Sequence, residues 1–187
     1  MSDASTPALG PLQISEIILH TAQFDAMKAW YQTLFGGLKP VVDIDSDRKL
    51  TYVPNVKRIC FLRIHSRYPY TQVLGLFEIP ELRTGAASGP GLDHMQFREA
   101  NLESLFARYR VLKAAGLRPH SSYDHGPATS FYYADPDGNH VELSAVNFAT
   151  EEAYLAFMRS EQYLRNVEGY PVDPDAHIAA HAAGGGG

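Results

Sequence analysis

The stretch His125-Gly-Pro-Ala-Thr-Ser-Phe-Tyr-Tyr-Ala-Asp-Pro-Asp-Gly-Asn-His-Val-Glu142 decides how the rest of the chain reads. At its centre, Asp135-Pro136-Asp137-Gly138 is a turn by composition: Asp bonds its own backbone, Pro presets φ, and Gly accepts left-handed geometry. Residues 129–134 and 139–146 flank it as two strands, so the stretch predicts a β-hairpin. In the second strand His140, Glu142 and Ser144 share one face, and Val141, Leu143 and Ala145 share the other.

Upstream, Leu92–Phe97 reads as a short strand carrying His94. A helix follows over about 101–115, with Leu105, Tyr109 and Leu112 on one face and Gly116 as its stop. Residues 117–121 then form a strand leading to the hairpin. The same order occurs earlier in the chain. Residues 14–20 are a strand ending at His20, and a helix follows over 25–36, with Met27, Trp30, Tyr31 and Leu34 at helical spacing and Asp25 as N-cap. After a polar stretch come strands over 59–65 and 73–79, parted by 66–72. The two histidines lie 74 residues apart, and the order is an internal β-α-β-β-β repeat. Residues 1–13 read as a flexible tail. A last helix is expected over 151–159, followed by a Pro-containing surface segment and a mobile end from His181 to Gly187.

With 187 residues and 45% hydrophobic content, the chain can fill the core of one domain or a tightly joined pair of modules. Its 16 Lys and Arg against 21 Asp and Glu leave a net charge of -5, which argues against nucleic acid or an anionic membrane as partner. The single cysteine, Cys60, excludes an intrachain disulfide and a Cys-rich zinc site, and fits a cytoplasmic location. The first dozen residues lack the basic start and apolar stretch of a secretory signal. No apolar run approaches the roughly 20 residues of a membrane span.

His20, His94 and Glu142 stand out as metal-ligand types on strands. Two imidazoles and a carboxylate on one side of a divalent ion leave adjacent positions open for substrate and O2. The competing reading is a pair of hydrogen-bonded structural histidines and a solvated strand carboxylate. Spacing alone leaves both open. His120, His140, His177 and His181 read as surface residues.

The stretch quoted above resembles the signature of type I extradiol ring-cleavage dioxygenases, within the vicinal oxygen chelate superfamily that also holds glyoxalase I and bleomycin-resistance proteins. His125, Phe131, Tyr132, Asp135, Pro136, Gly138 and Glu142 match the pattern, while Tyr123 departs from the small or β-branched residue usual two places before the His. The resemblance covers residues 14–146. It implies an α+β fold in which two paired βαβββ modules, about 14–82 and 90–146, form a curved mixed sheet around a metal site. It further implies His20, His94 and Glu142 as ligands of Fe(II), with Mn(II) as the other candidate, and a catechol-type aromatic diol and O2 as substrates. His125 and Tyr132 match residues that bond the substrate or bound intermediate. Phe131 matches a substrate-contacting residue, and with Phe97, Tyr133 and Phe148 is either a pocket wall or ordinary core. Exposed sheet edges and the C-terminal helix make a homodimer the expected assembly.

Two departures bear on the reaction. Glyoxalase I has a fourth ligand, a Glu in the last strand of its first module, and the matching place here is Gly75. Glu78 lies an odd number of residues on and faces the other way. Extradiol enzymes usually carry an acid/base His just before that strand, where this chain has Gln72, which can bond substrate but cannot shuttle a proton. Either His65, Tyr68 or Tyr70 substitutes, or the enzyme is slower, or the reaction differs. A glyoxalase-like lyase or isomerase, and a small-molecule-binding or resistance protein, are the rival functions.

Overall fold

The computed structural model describes residues 13–45, 55–67, 70–82 and 92–184. The chain falls into two compact units. One takes the described residues up to Phe24 together with Leu38–Leu82, and the other takes Asp25–Gly37 together with the described residues from Leu92 on.

The first unit holds a four-stranded mixed sheet of β1 (Glu16–Thr21), β2 (Val42–Asp45), β3 (Arg58–Arg67) and β4 (Tyr70–Glu78), in the order β1-β4-β3-β2. β1 runs parallel to β4, whereas β2–β3 and β3–β4 are antiparallel. The sequence reading missed β2 as part of a polar stretch. It is a short edge strand with three of its four residues exposed, so burial does not impose a periodic apolar pattern on it. Cys60, Leu62, Leu74 and Leu76 are fully buried on one side of the sheet. On the other side Ile59, Phe77 and Val56 form a smaller cluster flanked by Ile18, Phe61 and Ile79.

The second unit contains α1 (Phe24–Leu34) from Asp25 on, β5 (His94–Arg98), α2 (Leu102–Ala114), β6 (Ser121–Asp124), β7 (Ala128–Ala134) and β8 (His140–Val146), followed by α3 (Glu151–Met158), α4 (Glu161–Arg165), β9 (Tyr170–Pro171) and α5 (Pro174–Ala183). Its five strands lie in the order β5-β8-β7-β6-β9, with β5 parallel to β8 and the other pairs antiparallel. Both sheets therefore place the first strand of the repeat parallel to its last, the arrangement expected of paired βαβββ modules.

α1 buries Met27, Tyr31 and Leu34 completely, while Asp25 sits inside its first turn rather than at the cap. α2 is capped by Asn101, whose side chain accepts from Ser104 N at 2.9 Å, and buries Leu105, Phe106, Tyr109 and Leu112. Gly116 follows with φ +84°. Residues 117–120 close this helix end, so the next strand begins at Ser121 rather than at Leu117. The hairpin turn forms as expected: the Asp135 carboxylate, 4% exposed, accepts from Asp137 N, Asn139 N, Asn139 Nδ2 and the Tyr31 hydroxyl.

The C-terminal part departs from expectation. Instead of one helix and a mobile end, it forms α3, α4, β9 and α5, and His181 lies within α5. Thr150, Ser160 and Asp173 each cap a helix with a side-chain oxygen, and Pro174 takes the first helical position of α5. Ile178 is the residue of α5 that is buried.

Candidate metal and substrate site

Alternation along β5, β7 and β8 gives the second unit's sheet a polar face and an apolar face. Met95, Phe131, Tyr133, Val141, Leu143 and Ala145 are buried on the apolar face. Phe131 lies against Phe106 and Tyr109 of α2 and belongs to the core, whereas half-buried Phe97 meets Phe35 edge-on. Tyr133 is buried there as well, and Phe148 packs on Phe157 outside the sheet. The polar face carries His94, Gln96, Ser130, Tyr132, His140, Glu142 and Ser144. Register pairs His94 with His140, Gln96 with Glu142, and Tyr132 with Glu142.

Glu142 is the centre of this face and is only 3% exposed. Burying a carboxylate is costly unless its oxygens are satisfied. Here Oε1 accepts from Gln96 Nε2 and from Ser130 Oγ, both at 2.6 Å. Oε2 lies 3.0 Å from His94 Nε2. The other ring nitrogen of His94, Nδ1, is 2.6 Å from Asp93 Oδ2, and this contact holds the Asp93 carboxyl below the usual carboxylate range. Both carboxylates only accept, and a neutral imidazole has a single N–H. The arrangement therefore calls for one more positive charge, supplied by a second ring proton or by a cation between Nε2 and Oε2. A separation of 3.0 Å suits two ligand atoms, each about 2.1 Å from one ion and roughly at right angles. Asp93 would then be the outer partner that fixes the ring.

Tyr132 and His125 complete the face. Burial, then the charge of Glu142, pushes the Tyr132 phenol up to about 12, so at neutral pH it is a donor. Its ring meets His94 edge-on at 6.1 Å. The Tyr132 hydroxyl is 3.1 Å from His125 Nε2, and His125 Nδ1 is 2.5 Å from the Glu168 carbonyl oxygen. A carbonyl can only accept, so Nδ1 carries a proton, and the neutral form of the ring presents Nε2 as acceptor to the Tyr132 hydroxyl. Tyr123 stacks on His125 at 5.6 Å with 13° between planes. The departure from the signature at Tyr123 is thus the support of the signature histidine. Gln96, Ser130, Asp93 and Glu168 were not anticipated. Gln96 and Asp93 were within reach of the sequence, being two places and one place from His94; the other two depend on strand pairing and chain return.

In the first unit, His20 is exposed and stacks on Phe77, its neighbour in register, at 6.1 Å. It is the fifth residue of β1, whereas His94 is the first of β5. The place equivalent to His94 is held by Glu16: Glu16 and Ile18 pair with Val73 and Gly75 as His94 and Gln96 pair with His140 and Glu142. Gly75 is the counterpart of Glu142, and a Cβ there would lie 2.3 Å from Ile18 Cδ1 and 2.9 Å from the Phe61 ring, so those side chains would have to shift. Glu78 faces away from His20 and is bonded by Arg58 through Nε at 2.7 Å and a second nitrogen at 2.9 Å. His65 and Gln72 are both exposed and pair across β3 and β4. Roughly 17 Å of strand separates Gln72 from Phe77, the partner of His20. Tyr68 lies outside the described residues. His120 and His140 are exposed neighbours with ring centroids 5.3 Å apart, whereas His177 and His181 pack edge-on against Phe106. Among the described residues, no group of three or more His, Cys, Asp or Glu is gathered to hold a metal; the second unit supplies the His94–Glu142 pair.

Comparison with known proteins agrees with this architecture. Curated relatives include biphenyl-2,3-diol 1,2-dioxygenase 2 of Rhodococcus globerulus, 31% identical over 172 residues, covering 92% of this chain and 83% of the relative. Biphenyl-2,3-diol 1,2-dioxygenase 3 of the same organism is 32% identical over 174 residues with the same coverage. Among solved structures, a glyoxylase/bleomycin resistance protein/dioxygenase domain from Frankia sp. EAN1pec superposes with TM-score 0.56 at 16% identity, covering 79% of this chain and 99% of that one. A glyoxalase/dioxygenase from Nostoc punctiforme gives TM-score 0.54 at 17% identity, covering 76% and 99%. These structures share the fold. Residues 13–143 match the family model described as Glyoxalase/Bleomycin resistance protein/Dioxygenase superfamily, and the chain belongs to that superfamily.

Proposed function

We propose that this protein is an iron-dependent dioxygenase that opens the ring of a catechol-type aromatic diol beside its hydroxyl groups. The observation that carries the reading is the His94–Glu142 pair, whose 3.0 Å separation and requirement for a positive charge suit a divalent cation. The names of the two Rhodococcus relatives support the substrate class.

His94 and Glu142 would hold the ion, and the resemblance implies a third ligand in the first module. His20 is the residue the resemblance implies for that place, and strand register favours Glu16 instead. Fe(II) bound there would supply the one-electron chemistry that lets O2 react with an aromatic diol. The chain's own residues orient and move protons. Gln96 and Ser130 hold Oε1 of Glu142, leaving Oε2 directed at His94. Tyr132 keeps its phenolic proton at neutral pH and donates it to His125 Nε2, which leaves its oxygen to accept from a hydroxyl placed on the polar face. Nε2 of His125 accepts from the Tyr132 hydroxyl, and can take a diol proton through it. That route would do part of what Gln72 cannot.

The test is oxygen uptake by protein purified anaerobically and loaded with Fe(II), offered catechol, methylcatechols and 2,3-dihydroxybiphenyl. Uptake with a yellow ring-opened product is the expected result. An iron-replete sample that consumes no oxygen with any of them refutes the proposal.

A further inference from the structure

We infer that the C-terminal segment running from α4 into β9 is a positioning element for His125: it presents the Glu168 carbonyl to Nδ1 and so fixes Nε2 as the lone-pair nitrogen facing Tyr132. The inference deepens the proposed function, on which the roles of His125 and Tyr132 rest. Glu168 and its neighbours lie beyond residues 13–143, the part matched by the family model, so the device belongs to the chain's C-terminal extension.

Three sets of contacts build it. The first is the bond itself, 2.5 Å from Nδ1 to the Glu168 oxygen across 43 residues of chain. Which imidazole nitrogen carries the proton is set by what the other one meets, and a carbonyl permits only one answer. The second is the turn that presents this carbonyl. Asn166 closes it from both sides, donating through Nδ2 to Gly169 O at 2.9 Å and accepting from Gly169 N at 3.1 Å. The third is the close approach of the segment to the strand before His125. Gly169 has φ +79°, and a Cβ there would lie 2.2 Å from Asp124 O and 2.4 Å from His125 Cα. Just beyond, Asp124 and Tyr123 pair with Tyr170 and Pro171, and Val172 N donates to Ser122 O at 3.0 Å. The segment is thus stitched to β6 immediately before the histidine it serves. Glu168 acts here through its backbone, so substituting its side chain is not the informative change.

The experiment reads the ring nitrogens of His125 by long-range ¹⁵N–¹H NMR in the full chain without added metal, the signal being assigned by its loss in His125→Gln. The wild type is expected to show a pyrrole-like Nδ1 and a pyridine-like Nε2. Asn166→Ala removes both closing bonds while leaving the polar face untouched; it should give a tautomer mixture at His125, and about 10-fold lower turnover at unchanged iron content. Asn166→Asp, which keeps the acceptor for Gly169 N, should restore part of both. Gly169→Ala should give a larger loss of the same signature. A wild-type ring protonated at Nε2 overturns the inference, as does an Asn166→Ala signal identical to wild type. The stated tautomer in a protein that cleaves no catechol sustains the positioning role and refutes the dioxygenase reading.

Discussion

At the scale of single residues, the polar face is organised around one buried carboxylate. Glu142 has each oxygen committed, Oε1 to two neutral donors and Oε2 toward His94, so its orientation is fixed before any ligand arrives. His94→Ala is expected to abolish stoichiometric iron binding, and unchanged metal content per chain would sink the assignment. Asp93→Asn should weaken iron binding about 10- to 100-fold, because it removes the charged partner that orients the ring. The two candidates on β1 separate in the same assay: Glu16→Ala should lower iron content and His20→Ala should leave it nearly unchanged. Tyr132→Phe should lower turnover by about 100-fold with iron retained, since it deletes the hydroxyl that links the polar face to His125 and not a ligand. Equal turnover in that variant would return Tyr132 to the status of a packing aromatic.

Elements explain which of these residues were legible. The β7–β8 hairpin was readable because its turn chemistry is local and its strands alternate. The parity rule separated Glu142 from Val141 and Leu143, and Glu78 from Gly75, and strand register bears out both. A fixed interval between two histidines carries less. His20 and His94 lie on equivalent strands but at different positions in them, because loop and helix lengths differ between the repeats and only pairing fixes register. β2, β9 and α5 escaped for a related reason: short or exposed elements carry little periodic signal, although Asp173-Pro174 was a readable helix start. Asp135 is the residue on which the hairpin turns. Asp135→Ala should cost about 3 kcal/mol, since it orphans several buried donors at once, whereas Tyr31→Phe should cost about 1 kcal/mol. Denaturant midpoints of the two variants check the ranking; equal midpoints would mean the turn is held by Pro136 and Gly138 alone.

For the whole molecule, alkaline stability is the property these buried groups control. Burial, with Asp135 beside it, raises the Tyr31 phenol far above its ordinary value, and burial raises Tyr133 as well. The folded chain keeps these protons after the unfolded chain has released them, so stability is complete below about pH 10 and falls as pH rises beyond it. Unfolding by denaturant at about pH 8 and about pH 11 should show a marked drop that Tyr31→Phe reduces; a drop of the same size in that variant would show that Tyr31 is not its source. The sequence by itself determined the α+β repeat, the hairpin, the shared face of His140, Glu142 and Ser144, and the family signature, because turn chemistry and strand alternation are local. Only the tertiary structure decided that Gln96 and Ser130 hold Glu142, that Asp93 backs His94, that Tyr31 bonds Asp135 across 104 residues, and that a carbonyl 43 residues along the chain sets the proton on His125. Such contacts form when strands and returning segments come into register, and no local periodicity in the chain encodes which partner will be there.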